Sequence, residues 1–456
     1  MKIKTASPNY SDGTVDEQPG GVCSVMVAGA VPRARWLIWR ALALLFGLLL
    51  LGSSAIPAHL ARLDYFAMAV AGHSWDLIGW EVDALSQKAA AVIQQPGDEL
   101  PPLAAAGAVK EYLARAARIG EVERELTRLA SLNVDTSTSP ANGEPSVDAL
   151  NAKLDELRSQ QAVVRPQVEQ VIERQVSQIL AESDFLGIGQ RVWPPVSFTF
   201  VEPPKKFVVS RRDRIETIYS QMLEADISLD EIAEAEGKIF EQYNAVGYAT
   251  DIGGLGAFPT MVVDRASLRW VLSTVAHEWA HNYLVFHPLG WNYFTSQDLT
   301  TINESVAEIV GNEIGDLVLA RYYPEMVPPP QIGEPTSLPE IAPFSFRDEM
   351  RITRLEVDRL LAEGDVTGAE SYMEERRQLF VENGYSLRVL NQAYFSFHGS
   401  YGTSPSSTSP IGPKLELLRT LMPDLKSFLE TVDNFTSVED LDRTLALWGA
   451  EADFSQ

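Results

Sequence analysis

Cysteine is nearly absent: the 456-residue chain has one, Cys23, so an intramolecular disulfide is excluded and stability must come from a packed core. Basic residues are also short, with 37 Lys and Arg against 62 Asp and Glu. The net charge of −25 would repel a phosphate backbone and argues against nucleic acid as a partner. No internal repeat is visible. Histidine is scarce too, 6 in all, yet two of the six fall within one pentapeptide.

That pentapeptide, His277-Glu278-Trp279-Ala280-His281, carries the strongest chemical signal in the chain. At 3.6 residues per turn, His277 and His281 stack on one helix face and can each direct a ring nitrogen at a single metal ion. Glu278, on the adjacent edge, is placed to accept a proton from water and return it to a leaving amine. The chemistry is that of a zinc hydrolase. Flanking apolar residues at Leu268, Val271, Leu272, Val275, Ala276, Trp279 and Ala280 predict a buried helix, with Asp264 as its expected N-cap.

A catalytic zinc takes three protein ligands, and two residues are candidates for the third. His287 stands at the offset of the third histidine of the HExxHxxGxxH pattern, but Leu284 occupies the place of the glycine that turns the chain there. Along an unbroken helix the span from His277 to His287 would be about 15 Å. Glu304 is the stronger candidate. It lies on a segment with helical periodicity through Leu299, Ile302, Val306, Ile309, Val310 and Ile314. Glu308, Gly311 and Gly315 continue its stripe, and glycines there imply close approach of another backbone, expected to be the histidine helix. Glu308 would then accept the outer N–H of a ligating histidine.

His277-Glu278-x-x-His281 followed by Asn303-Glu304-x-x-x-Glu308 resembles the gluzincin group of metallopeptidases, which includes thermolysin-like proteases and zinc aminopeptidases. The resemblance covers roughly residues 264 to 320 and departs from the thermolysin pattern in having Glu308 where an aspartate is usual. It implies that His277, His281 and Glu304 bind Zn2+, that Glu278 is the base, and that the substrate is a peptide or protein. It also implies a short substrate-holding edge strand before the helix, for which Gly253 to Asp264 is the candidate, with the strand over Thr260 to Val263. A Tyr or His from the C-terminal part would hydrogen-bond the oxyanion, and Tyr394 and His398, one turn apart, are the candidates. The alternatives are a catalytically inactive zincin-like envelope scaffold and a zinc hydrolase of a non-peptide amide.

The expected architecture is mainly α (α+β), with a zincin-like catalytic domain containing a small sheet. Residues 1–35 read as a disordered cytoplasmic tail. Residues 36–61 read as a single transmembrane signal anchor, since 41–61 contain no Asp, Glu, Lys or Arg and Arg33, Arg35 and Arg40 precede them. The catalytic part would then lie outside the cytoplasm at the cell membrane. A helical hairpin or stalk over 62–185 is available for a protein partner. The catalytic core follows over 186–323, with strands expected at Val196 to Val201 and Phe207 to Val209. A Pro-rich connection spans 324–345, and the C-terminal helical region, 346–456, includes a Gly/Ser/Pro loop at 399–413 expected to be flexible.

Overall fold

In the computed structural model the described residues are 66–94, 100–131, 146–187, 189–328 and 344–449. The expected membrane anchor, 36–61, and most of the Pro-rich connection lie outside them. No helix among the described residues is long and apolar enough to cross a membrane.

The described residues are mostly helical, with six short strands in small sheets. After α1 (Leu77–Gln94), α2 (Pro102–Ser131) and α3 (Val147–Glu182) pair as a hairpin. Ser146 starts α3 by accepting a hydrogen bond from the Ala149 N–H. Near its tip the hairpin carries its own apolar cluster of Ile119, Val122, Leu129, Leu150 and Leu154. Its base is part of the main core, where Val109, Tyr112, Ile172 and Val176 pack with the histidine helix.

Two three-stranded sheets follow. The first has the order β1 (Phe198–Phe200), β6 (Thr260–Val262), β5 (Gly254–Leu255), with β1 parallel and β5 antiparallel to the central β6. Glu169 and Glu173 of α3 accept the N–H groups of Phe200 and Phe198, so side chains from a helix cap β1. The second sheet has the order β3 (Thr217–Leu223), β2 (Lys205–Arg211), β4 (Ala245–Thr250), all antiparallel. Phe207 and Val209 of β2 face α4 (Leu229–Tyr243), and Val208, with Tyr248 of β4, packs on the opposite side. The two strands expected at 196–201 and 207–209 thus belong to different sheets, and the strand expected at 260–263 is central rather than at an edge.

At the centre lie α5 (Leu268–Leu284) and α7 (Gln297–Tyr322), joined by the short α6 (Pro288–Trp291). The apolar residues expected to face inward along α5, from Leu268 to Ala280, are buried, and the Trp279 indole N–H donates to the Pro194 carbonyl at 2.8 Å. Ser267, not Asp264, caps α5 by accepting from the Trp270 N–H. The Asp264 carboxylate is already engaged by Tyr112 and Gln161. Ser296 caps α7. The two helices pack at glycine distance: a Cβ on Gly311 would come within 2.7 Å of the Ser273 carbonyl, and one on Gly315 within 2.8 Å of the Ser273 Cα. Only the missing side chains allow this approach.

Beyond α7 come α8 (Phe346–Ala362) and α9 (Val366–Glu382), a hairpin turned at Gly364 with φ +79°, and then α10 (Gln392–His398), which packs on β2 and β4. The helices α11 (Ile411–Leu421), α12 (Leu425–Val432) and α13 (Val438–Leu447) complete the main core around α7.

Candidate metal centre

His277 and His281 project from α5 toward Glu304 on α7. The two Nε2 atoms are 3.0 Å apart, and each is 3.6 Å from Glu304 Oε2. A triangle with those sides has a circumradius of about 2.0 Å, so a point about 2.1 Å from all three atoms, the bond length of a divalent metal to such donors, lies close to their plane. These three residues could hold a metal ion. Glu304 Oε2 is buried without a hydrogen-bond donor, an unusual position for a carboxylate oxygen unless a cation takes it. The histidine side chains are 17 % and 18 % exposed, which leaves the triad a path to solvent.

The surroundings orient two of the three candidate ligands, His281 and Glu304. His281 Nδ1 donates to Asn303 Oδ1 at 2.8 Å, so its neutral ring presents a lone pair at Nε2. Tyr293, from the segment between α6 and α7, donates its hydroxyl to Glu304 Oε1 and turns the other oxygen toward the histidines. Burial alone would raise the Glu304 carboxyl, but the His281 and His277 imidazoles outweigh it and hold the group well below the usual range. Burial disfavours a charged His281, yet the neighbouring Glu304 prevails and lifts the ring to about 9. The field that retains a proton there would equally favour a metal cation.

Glu278 is buried beside the triad. Desolvation pushes its carboxyl upward, partly opposed by His277 and His281. Its two oxygens lie against the backbone of the β5 region, where a Cβ on Gly254 would come 2.5 Å from Oε1 and one on Gly256 would come 3.4 Å from Oε2. The glycines therefore make room for the carboxylate. The edge strand beside the site is β5, Gly254–Leu255.

Three expected contacts are replaced by others. Glu308 accepts a hydrogen bond from the Thr403 hydroxyl at 2.5 Å, while Asn303, adjacent to Glu304, takes the outer nitrogen of His281. Tyr394 and His398 pack on Tyr248 of β4, with ring centroids 5.4 and 5.9 Å from its ring, and the Tyr248 hydroxyl meets His398 Nε2 at 3.3 Å. The phenols that reach the triad are instead Tyr293 and Tyr401, whose ring centroid is 6.5 Å from that of His277. The Glu304 charge and then burial keep the Tyr401 hydroxyl protonated; burial and then Glu304 do the same for Tyr293. His287 is not brought to the triad. The chain leaves α5 at Leu284, His287 stacks on Tyr283 with centroids 4.4 Å apart, and its Nδ1 bonds the buried Asp433 carboxylate at 2.9 Å.

Tyr401 lies in the loop expected to be flexible. That loop is tied down by the Gly402 N–H to the Ser305 hydroxyl at 3.0 Å, by Thr403 to Glu308, and by Arg347 and Arg354 to loop carbonyls. The Glu304 charge extends to Lys206 of β2, whose ammonium desolvation lowers and that charge partly restores. Sequence reasoning missed Asn303, Tyr293, Tyr401 and Lys206. Only Asn303 gave a signal, by its place beside Glu304 on the helix. No family model, curated protein or solved structure matches the chain.

Proposed function

We propose that this chain is a zinc-dependent metallopeptidase in which His277, His281 and Glu304 hold the ion and Glu278 is the general base. The observation that carries the reading is the convergence of two imidazole nitrogens and one unpartnered carboxylate oxygen beside a second, buried carboxylate. Two nitrogen donors and one oxygen donor, with one position left open, are the ligand set of catalytic zinc. The gluzincin-like spacing of the motif supports a peptide bond as the target and a zincin-like catalytic unit as its setting.

Zinc bound there would supply Lewis-acid polarisation of a carbonyl and acidify water toward neutral pH. Glu278 takes the water's proton and passes it to the amide nitrogen, which leaves as the amine; burial raises its carboxyl, which strengthens it as a base. Tyr401, kept protonated by Glu304, is the hydroxyl best placed to donate to the developing oxyanion, and Tyr293 holds Glu304 in position. The free side of β5 can pair with an extended substrate backbone. The apolar segment at 36–61, with its preceding arginines, supports a single-pass anchor with this site outside the cytoplasm.

The test is hydrolysis of a mixed peptide library by the zinc-loaded parent and by Glu278→Gln. Zinc should be retained in the variant and cleavage should fall on the order of a hundred- to ten-thousand-fold. Equal cleavage by the two proteins would refute the assignment of the base.

A further inference from the structure

The contacts between the β5 region and α5 follow one order along both. A Cβ on Gly253 would lie 2.3 and 2.5 Å from Cζ2 and Cη2 of Trp270. One on Gly254 would lie 2.9 Å from the Thr274 Cγ2 and 2.5 Å from the Glu278 Oε1, and one on Gly256 would lie 3.4 Å from the Glu278 Oε2 and 3.9 Å from the His281 Cβ. The strand therefore runs in the same direction as the helix, from Trp270 at one end to the candidate metal centre at the other. The Trp270 indole reaches into the space that a side chain on Gly253 would fill, yet the residue is still 38 % exposed.

The outer edge of β5 is open. The Val263 N–H donates to the Gly253 carbonyl at 3.1 Å, and Gly254 stands opposite Val262. In an antiparallel ladder that pattern turns the N–H and C=O of Gly254 away from β6, and β5 has no strand on its other side among the described residues. A peptide that pairs there meets Glu278 toward one end and Trp270 toward the other. Cβ positions of adjacent residues are at most about 7 Å apart, so the Trp270 ring edge and the Glu278 carboxylate are separated by no more than about 12 Å. An extended chain advances about 3.3 Å per residue, which puts the indole two or three residues from the reacting bond. Antiparallel pairing, the more stable kind, runs the peptide against β5 and sets Trp270 on the carboxyl side of that bond.

Resting on the metallopeptidase reading, we propose that Trp270 is a specificity residue whose indole receives an apolar side chain of the substrate, two or three residues after the cleaved bond. Covering the exposed ring with an apolar side chain removes apolar surface of both from water; a glycine there gains nothing comparable. Gly253 is the positioning residue, because any side chain on it would displace the ring.

Two peptide series test this. One varies the second and third residues after the cleaved bond among Gly, Leu and Phe; the other varies the second and third residues before it. The ratio of kcat/KM, apolar over Gly, is measured for the zinc-loaded full-length parent, Trp270→Ala, Trp270→Phe and Gly253→Ala, and binding of the same peptides is measured by calorimetry in the Glu278→Gln background. Zinc content and thermal melting verify that each variant is folded. The expected result is an apolar preference of about ten-fold in the first series, lost in Trp270→Ala, reduced in Gly253→Ala and largely kept in Trp270→Phe. No such preference in the parent, or one that survives Trp270→Ala, overturns the proposal, and a preference confined to the second series overturns it by reversing the strand direction. Apolar-selective binding that depends on Trp270, without any cleavage, would defeat the peptidase reading and leave the Trp270 subsite standing. Cleavage without the preference would do the reverse, and neither binding nor cleavage would sink both.

Discussion

Gly311→Ala tests whether the contact between α5 and α7 sets the ligand geometry. The added methyl would lie 2.7 Å from the Ser273 carbonyl, 2.8 Å from the His277 Cβ and 3.1 Å from its Cα, where ordinary contact begins at 3.4 Å. The helices must therefore part by about 0.7 Å at the turn that carries His277, several times the roughly 0.2 Å tolerance of a metal–ligand bond. Overpacking of this kind costs about 1–3 kcal/mol, and the gain in helix propensity from glycine to alanine returns about 1 kcal/mol. The expected result is a net loss of up to about 2 kcal/mol in denaturant unfolding and a drop in metal affinity on the order of ten- to a hundred-fold in a chelator competition. Gly237→Ala is the control: this glycine lies inside α4 with no atom within 4 Å of its would-be Cβ, so alanine there should stabilise by about 0.5–1 kcal/mol and leave the metal untouched. If Gly311→Ala behaved like Gly237→Ala, close helix approach would not be what positions His277 against Glu304.

Asn303→Ala removes the acceptor from His281 Nδ1 and frees the ring to rotate; metal affinity should fall about ten- to a hundred-fold by equilibrium competition, and an unchanged value would show that Asn303 does not orient the ligand. His398 gives a pH prediction. Burial depresses it to about 4, below the roughly 6.5 of an unfolded histidine, so the unfolded chain binds the extra proton between those values. Its contribution is complete above about pH 6.5 and is lost as pH falls toward 4, by up to about 3 kcal/mol. Unfolding free energies of the parent and His398→Gln across that window should diverge, the variant being flatter; parallel curves would contradict the burial argument.

The two central helices were legible because the candidate ligands and the buried residues share one period. His277 and His281 repeat at i and i+4 within an apolar stripe, and Gly311 and Gly315 continue the line of Glu304 and Glu308, so motif, core face and close packing could all be read from local order. Residues that complete the site from elsewhere could not. Tyr293 and Tyr401 come from irregular segments on either side of α7, and no local pattern ties a loop phenol to a distant carboxylate. Tyr394 and His398 show the converse failure. Their spacing looked chemical, but the Tyr248 ring across the sheet claims both. The Ser267 cap was likewise hidden because Asp264 is a good cap in isolation, and only the hairpin residues Tyr112 and Gln161 draw it away.

Metal content of the purified protein, measured for the parent, Glu304→Ala and His287→Ala side by side, bears most directly on the central claim. The account predicts one equivalent of zinc in the parent and in His287→Ala, whose imidazole serves Asp433, and none retained by Glu304→Ala. Zinc kept by Glu304→Ala and lost from His287→Ala, or no zinc in any of the three, would contradict it.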